Sequence, residues 1–157
     1  MKTFRILSLL LVFFLTTTGV ALAQTAAQNK ASALKAYDYL NAKNFDGFAA
    51  LLADNFTEHA APQPVTGRAA AVEGLKQYID AFPDFKITVD KIVAEGNTVM
   101  VLVTSTGTMK NDFMGMPASG KSFKVTDVDI IEFDGAGKAT AHWAVQDPMV
   151  MMSQISK

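Results

Sequence analysis

From about residue 31 the apolar positions recur first at helical and then at strand spacing. Ala33, Leu34, Tyr37 and Leu40 fall on one face of a helix over 31–43. Asn44 can cap a second short helix, FDGFAALLA (45–53), through its side-chain oxygen. DNFTEHAAPQP (54–64) reads as a short extended piece broken by Pro62 and Pro64. Thr66 is a candidate N-cap for a third helix over 67–82, whose apolar stripe is Ala71, Leu75, Tyr78, Ile79 and Phe82. Pro83 and Asp84 end it. The period then changes to two. FKITVDKIVAEG (85–96) alternates, setting Phe85, Ile87, Val89 and Lys91 against Lys86, Thr88, Asp90 and Ile92. Gly96-Asn97 signals a hairpin into TVMVLVTSTGTM (98–109), a run rich in β-branched residues. A loop (110–120) leads to a strand over 121–134, a turn at 134–138 and a last strand, ATAHWAVQD (139–147). Pro148 cannot continue a paired strand, and PMVMMSQIS (148–156) closes the chain as a short helical turn. Helices followed by an antiparallel meander predict an α+β domain, with three helices on one face of a curved sheet that closes over an apolar pocket.

The first 23 residues stand apart. Lys2 and Arg5 precede the apolar run ILSLLLVFFL (6–15), and TTTGVALA ends in Ala21-Leu22-Ala23. This is the pattern of a secretory signal peptide and predicts cleavage after Ala23. The run is too short for a comfortable membrane span, and no cysteine follows to carry a lipid. The expectation is a secreted or periplasmic protein with no stable membrane anchor after cleavage. Residues 24–157 then form a single domain. That length buries roughly two thirds of its unfolded surface, and with no cysteine in the chain the fold rests on packing alone.

Without the leader's two basic residues, 12 basic face 15 acidic side chains, a net charge of −3. No basic stripe is present to neutralise phosphates, so nucleic-acid binding is not expected. Arg68 is the single arginine after the leader, which disfavours multi-arginine clamping of phosphates or carboxylates. There is no thiol nucleophile and no G-x-S-x-G elbow. Two histidines without H-E-x-x-H or H-x-H spacing make a metal site unexpected.

The pieces LLADNFTEHAAP, TGRAAAVEGLKQYIDAFPDFKITVDKIVAEGNTV, STGTMKNDFMGMPASGKSF, DVDIIEFDGAGKATAHWAVQD and MMSQI, in that order across about 31–155, resemble the SnoaL-like polyketide cyclases, often labelled ester cyclases, of the NTF2-like superfamily. The resemblance implies a cone-shaped α+β fold with a deep pocket and a homodimer. It implies cofactor-free chemistry in which a pocket carboxylate removes a proton next to a carbonyl, as in aldol ring closure, with hydrogen-bond donors holding the enolate. The fold hosts enzymes and non-enzymes alike, so a non-catalytic ligand-binding or dimeric interaction module is the alternative.

The resemblance puts the acid/base at Asp147. Alternation gives Ala141, Trp143, Val145 and Asp147 one face of the last strand and His142, Ala144 and Gln146 the other. Trp143 would then wall Asp147 and His142 would face away. Asp147 before Pro148 equally suits a turn cap. His59 is the second catalytic candidate, as a donor to an enolate oxygen. The expected binding residues for a small, mostly apolar ligand are Trp143, Phe82, Tyr37, Asp129 and Phe113, although core packing also accounts for the aromatics. Asp127 and Asp129 interrupt the apolar face Phe123, Val125, Ile131 and Phe133. Buried together without partners they would be costly; the resemblance implies an acid at the place of Asp129 and a small residue at that of Asp127, so Asp129 reads as the pocket residue and Asp127 as exposed. Tyr37 and Asp129 would be the deep donors in a steroid-isomerase-like variant of the reaction. The methionines of the loop and closing turn (109, 114, 116, 149, 151 and 152) suit a flexible lid, or gap filling in the core.

Overall fold

The computed structural model describes residues 25–60 and 63–156; the predicted leader and its cleavage point lie outside them. Helix α1 runs through residues 25–41. It is followed by α2 (Phe45–Ala49), β1 (Leu52–Glu58), β2 (Val65–Thr66), α3 (Arg68–Ala81), β3 (Lys86–Glu95), β4 (Thr98–Thr108), β5 (Ser122–Phe133), β6 (Ala139–Val145) and α4 (Pro148–Ile155). Among the described residues the strands form one curved, unclosed six-stranded sheet in the order β2-β1-β6-β5-β4-β3. This is the expected α+β plan.

Local chemistry sets the boundaries. Asn44 caps α2 as expected, its side chain accepting from the Gly47 amide at 2.9 Å. Thr66 does not cap α3. The cap position is Gly67, whose φ of 105° lies in the region glycine tolerates best, and Thr66 pairs with Thr57 at the sheet edge. The extended piece before it is a full strand that starts at Leu52, so α2 is shorter than its sequence suggested.

Strands β3 to β6 form the predicted meander, but β1 lies parallel to β6, a long-range pairing that alternation does not reveal. Three register shifts also break simple parity, one of them on β1 between Leu52 and Thr57. On β3 the register shifts between Val89 and Lys91. Ile92 and Ala94 therefore face inward opposite Val101 and Val99, while Lys91 and Val93 turn out. On β6 Ala139 pairs with Phe133 but Ala141 pairs with Glu132, which makes Thr140 an extra residue.

Two apolar clusters fill the concave side. One joins Ala33 and Tyr37 of α1, Leu52 and Phe56 of β1, Val72 of α3, and Val99, Val101, Val103, Ile131 and Phe133 of the sheet. The other joins Ala81, Phe82, Met109, Phe123, Val125, Met151 and Ile155, with Tyr78, Phe85 and Phe113 against it. Along the inward face of β5, Phe123 and Val125 belong to the second cluster and Ile131 and Phe133 to the first. Asp127 and Asp129 occupy the seam between them.

Candidate functional site

Both aspartates of the seam are buried, at 9% and 6% exposure; the exposed position expected for Asp127 is not what the fold gives it. Inward-facing acids on β5 alternate with Val128 and Ile130, so their carboxyls reach into the concave side, largely away from water. The compensation comes from β6. His142 pairs with Ile131 and Ala144 with Asp129, which turns the His142 ring inward. Its Nε2 lies 3.3 Å from Asp129 Oδ1 and its Nδ1 lies 2.8 Å from Glu58 Oε2. Glu58 is delivered by the parallel pairing, being the partner of His142 in the ladder. On the other side, the Tyr37 hydroxyl of α1 donates to Asp129 Oδ2 at 2.7 Å. A continuous chain therefore runs Glu58–His142–Asp129–Tyr37, drawn from four elements distant in sequence.

The electrostatics follow from this packing. Burial disfavours charge on His142, but hydrogen bonds to Asp129 and Glu58 and their negative charges outweigh it and push its pKa up to about 10. His142 is thus an imidazolium at neutral pH. Burial and Asp129 together push the Tyr37 hydroxyl well above the usual tyrosine range, so it stays a donor. Burial, then the charge of Asp129, raises the pKa of Asp127 to about 6 despite the opposing effect of His142. Its Oδ1 is buried and accepts no hydrogen bond. Among the described residues no three His, Cys, Asp or Glu side chains are arranged to hold a metal ion.

Tyr37 and Asp129, both named above as candidate donors, are bonded to each other, while Asp147 is placed elsewhere. Asp147 is exposed and is the N-cap of α4, its side chain accepting from the Met149 amide at 2.9 Å. The capping reading describes its contacts. Trp143 pairs with Ile130 and so lies on the outer face of the sheet, opposite the two buried aspartates. There it stacks on His59, with ring centroids 4.5 Å apart and planes 3° from parallel. His59 follows the inward Glu58 and therefore points outward. His142, expected to face away, is the inward histidine. Parity grouped these residues correctly but assigned the faces the wrong way round, because both faces of β6 carry apolar side chains. Phe82 is fully buried and Phe113 packs on it at 5.0 Å, both in the second cluster. Glu58 was missed altogether. The usable signal was the acid pair on β5, which demands a cation, and His142 is the one within reach of that face.

The family described as SnoaL-like polyketide cyclase matches residues 31–155. No curated protein sequence matches the chain. Among solved structures, AclR from Streptomyces galilaeus is 25% identical with a TM-score of 0.71, covering 82% of this chain and 95% of its own. A SnoaL-like protein from Jannaschia sp. CCS1 is 24% identical with a TM-score of 0.78, covering 83% and 93%. An M. tuberculosis LEH-like epoxide hydrolase shares the fold at 15% identity and a TM-score of 0.68, covering 83% and 90%. One fold therefore carries different chemistries, and the side chains of the site decide between them. The match across almost all of the described chain makes this protein a member of the SnoaL-like polyketide cyclase family.

Proposed function

We propose that the domain binds a small, mostly apolar carbonyl compound and catalyses cofactor-free proton transfer at the carbon beside the carbonyl, with Asp127 as the acid/base. The observation that carries this reading is the buried Asp127 carboxyl, which has an oxygen without a partner and a pKa raised to about 6. Such a group is ionised at neutral pH yet basic enough to take a proton in a dry site. In the step itself Asp127 removes the α proton while the C–H electron pair moves into the carbonyl, giving an enolate. Returning the proton to another carbon yields an isomer. Addition of the enolate to a second carbonyl of the same molecule forms a ring, and the Asp127 proton then goes to the new alkoxide. The chain Glu58–His142–Asp129–Tyr37 holds a cation beside the developing negative charge and keeps its own members from drifting.

The test is solvent deuterium exchange into 2-tetralone, followed by NMR. The wild type should accelerate exchange and Asp127→Asn should lose on the order of 10²-fold or more. Exchange that is unaffected by this substitution rules out Asp127 as the base, and no acceleration by the wild type removes the catalytic reading.

A second reading, the dimeric interaction module, draws on the outer face of the sheet. Val93, Met100, Ile130 and Trp143 line up across β3 to β6 in register, and Val93, Met100 and the nearby Val145 are exposed. An apolar row of this kind suits a second copy of the chain. Sedimentation velocity with Met100→Glu tests it, since a dimer seated on this row should dissociate. The leader-like sequence ahead of residue 24 supports export to the periplasm or beyond, which signal-dependent fractionation of the full chain checks.

A further inference from the structure

The acid/base reading leaves the carbonyl oxygen of the ligand without an assigned donor. Tyr37 does not serve, since its hydroxyl proton is already given to Asp129. His142 has both ring nitrogens engaged by Glu58 and Asp129. A second tyrosine lies on the other side of the seam. Tyr78 sits near the end of α3, and its ring is held by Phe82, Phe85 and Phe113 at centroid distances of 5.0, 5.4 and 5.6 Å. That cluster includes Val125, the inward residue immediately before Asp127 on β5. The hydroxyl of Tyr78 has the Met151 sulfur at 3.7 Å as its acceptor, a weak bond for a phenol. The charge of Asp127 reaches this hydroxyl, which with burial keeps its proton on well above the usual tyrosine range. So two under-partnered polar groups, one donor and one acceptor, border the same apolar cluster without bonding to each other. Tyr78 is partly buried, not sealed off as its neighbour Phe82 is.

We propose that Tyr78 donates a hydrogen bond to the ligand's oxygen while Asp127 faces the adjacent proton. This rests on the reading of Asp127 as the acid/base and adds the ligand class: a neutral, flat, apolar molecule carrying one oxygen function that both groups can address. Anionic ligands are excluded, because Asp127, Asp129 and Glu58 outnumber the one cation, His142. The donor's strength suits an enolate, which gains more from a hydrogen bond than the parent ketone does.

The probe is 2-naphthol, a stable enol-like molecule with one hydroxyl, compared with 2-methylnaphthalene, which has the same body and no hydroxyl. Both are titrated by calorimetry into the wild type, Tyr78→Phe, Asp127→Asn and Met151→Leu. The wild type should prefer 2-naphthol by tenfold or more. Tyr78→Phe should lose about tenfold for 2-naphthol and nothing for 2-methylnaphthalene, with an unchanged melting temperature showing that the aromatic cluster is intact. Met151→Leu should keep the preference, because it removes only the weak acceptor. Equal 2-naphthol affinity in Tyr78→Phe and the wild type overturns the assignment. So does an equal loss in Met151→Leu, which would make the hydroxyl a packing tie. If Asp127→Asn abolishes deuterium exchange while Tyr78→Phe leaves 2-naphthol binding untouched, the acid/base reading survives and only the Tyr78 assignment falls. A wild type that does not distinguish the two probes overturns the ligand class.

Discussion

Replacing His142 with glutamine tests the electrostatics of the seam directly. The substitution keeps a hydrogen-bond donor and removes the one cation among Glu58, Asp129 and Asp127. The folded pKa of His142 stands at about 10 against an ordinary 6.5. At ~1.4 kcal/mol per pH unit this sets an upper limit of roughly 5 kcal/mol on the preference of the fold for the charged ring. The side chain is 23% exposed, so solvent screens part of it. A loss of about 3 kcal/mol at pH 7 is expected, in the range found when one partner of a buried ion pair is removed. The sign of the pH dependence follows from the direction of the shift. A group whose folded pKa is raised contributes stability that is complete below its unfolded pKa and vanishes as pH rises through the folded one. The difference between wild type and His142→Gln should therefore be close to its full size at pH 6.5, shrink through pH 8 and 9, and fall below about 1 kcal/mol at pH 10. Urea unfolding of both proteins at pH 6.5, 7, 8, 9 and 10 measures it. A difference that stays constant from pH 7 to 10, or one below about 0.5 kcal/mol at pH 7, would refute the imidazolium and with it the account of how Asp127 and Asp129 are tolerated.

Tyr37→Phe removes the 2.7 Å bond to Asp129 and should cost about 1.5–3 kcal/mol in urea unfolding, because the acceptor is a buried charge. Asp147→Ala removes the cap of α4; about 1 kcal/mol of stability should go, while deuterium exchange into 2-tetralone stays at the wild-type rate, the opposite pattern to Asp127→Asn. Gly107→Ala would place a methyl group 3.0 Å from the Phe123 ring and 3.2 Å from Phe82 Cβ. Overpacking there should cost about 1–3 kcal/mol, read as a lower denaturation midpoint with an unchanged slope. Thermal melts should show Asp127→Asn to be more stable than the wild type at pH 8 and to lose that advantage by pH 4. A buried carboxyl with its pKa raised to about 6 penalises the fold once it ionises, and an amide does not.

The element plan was legible because it rests on local signals. Helical spacing in α3, the Gly96-Asn97 turn, the long alternating runs of β4 and β5 and the Pro148 stop each act within a few residues. The motifs quoted across 31–155 carried the family in the same way. The two acids that interrupt the apolar face of β5 were also plain in the sequence, but only Asp129 read as a pocket residue. That both are buried, and which cation compensates them, was not legible. Register shifts on β1, on β3 and at Thr140 of β6 change which residues face inward, and a bulge leaves no mark in an alternation. The parallel pairing of β1 with β6, which sets Glu58 beside His142, joins residues 84 positions apart. Parity alone could group Trp143 with Asp147 but could not say which side was the inside. The sequence by itself determined the order of the elements and the family, since these depend on short-range periodicity and on motifs. Only the tertiary structure decided that both acids of β5 are buried, that His142 rather than His59 answers them and that Asp147 is a helix cap, because register and strand order are properties of the whole sheet.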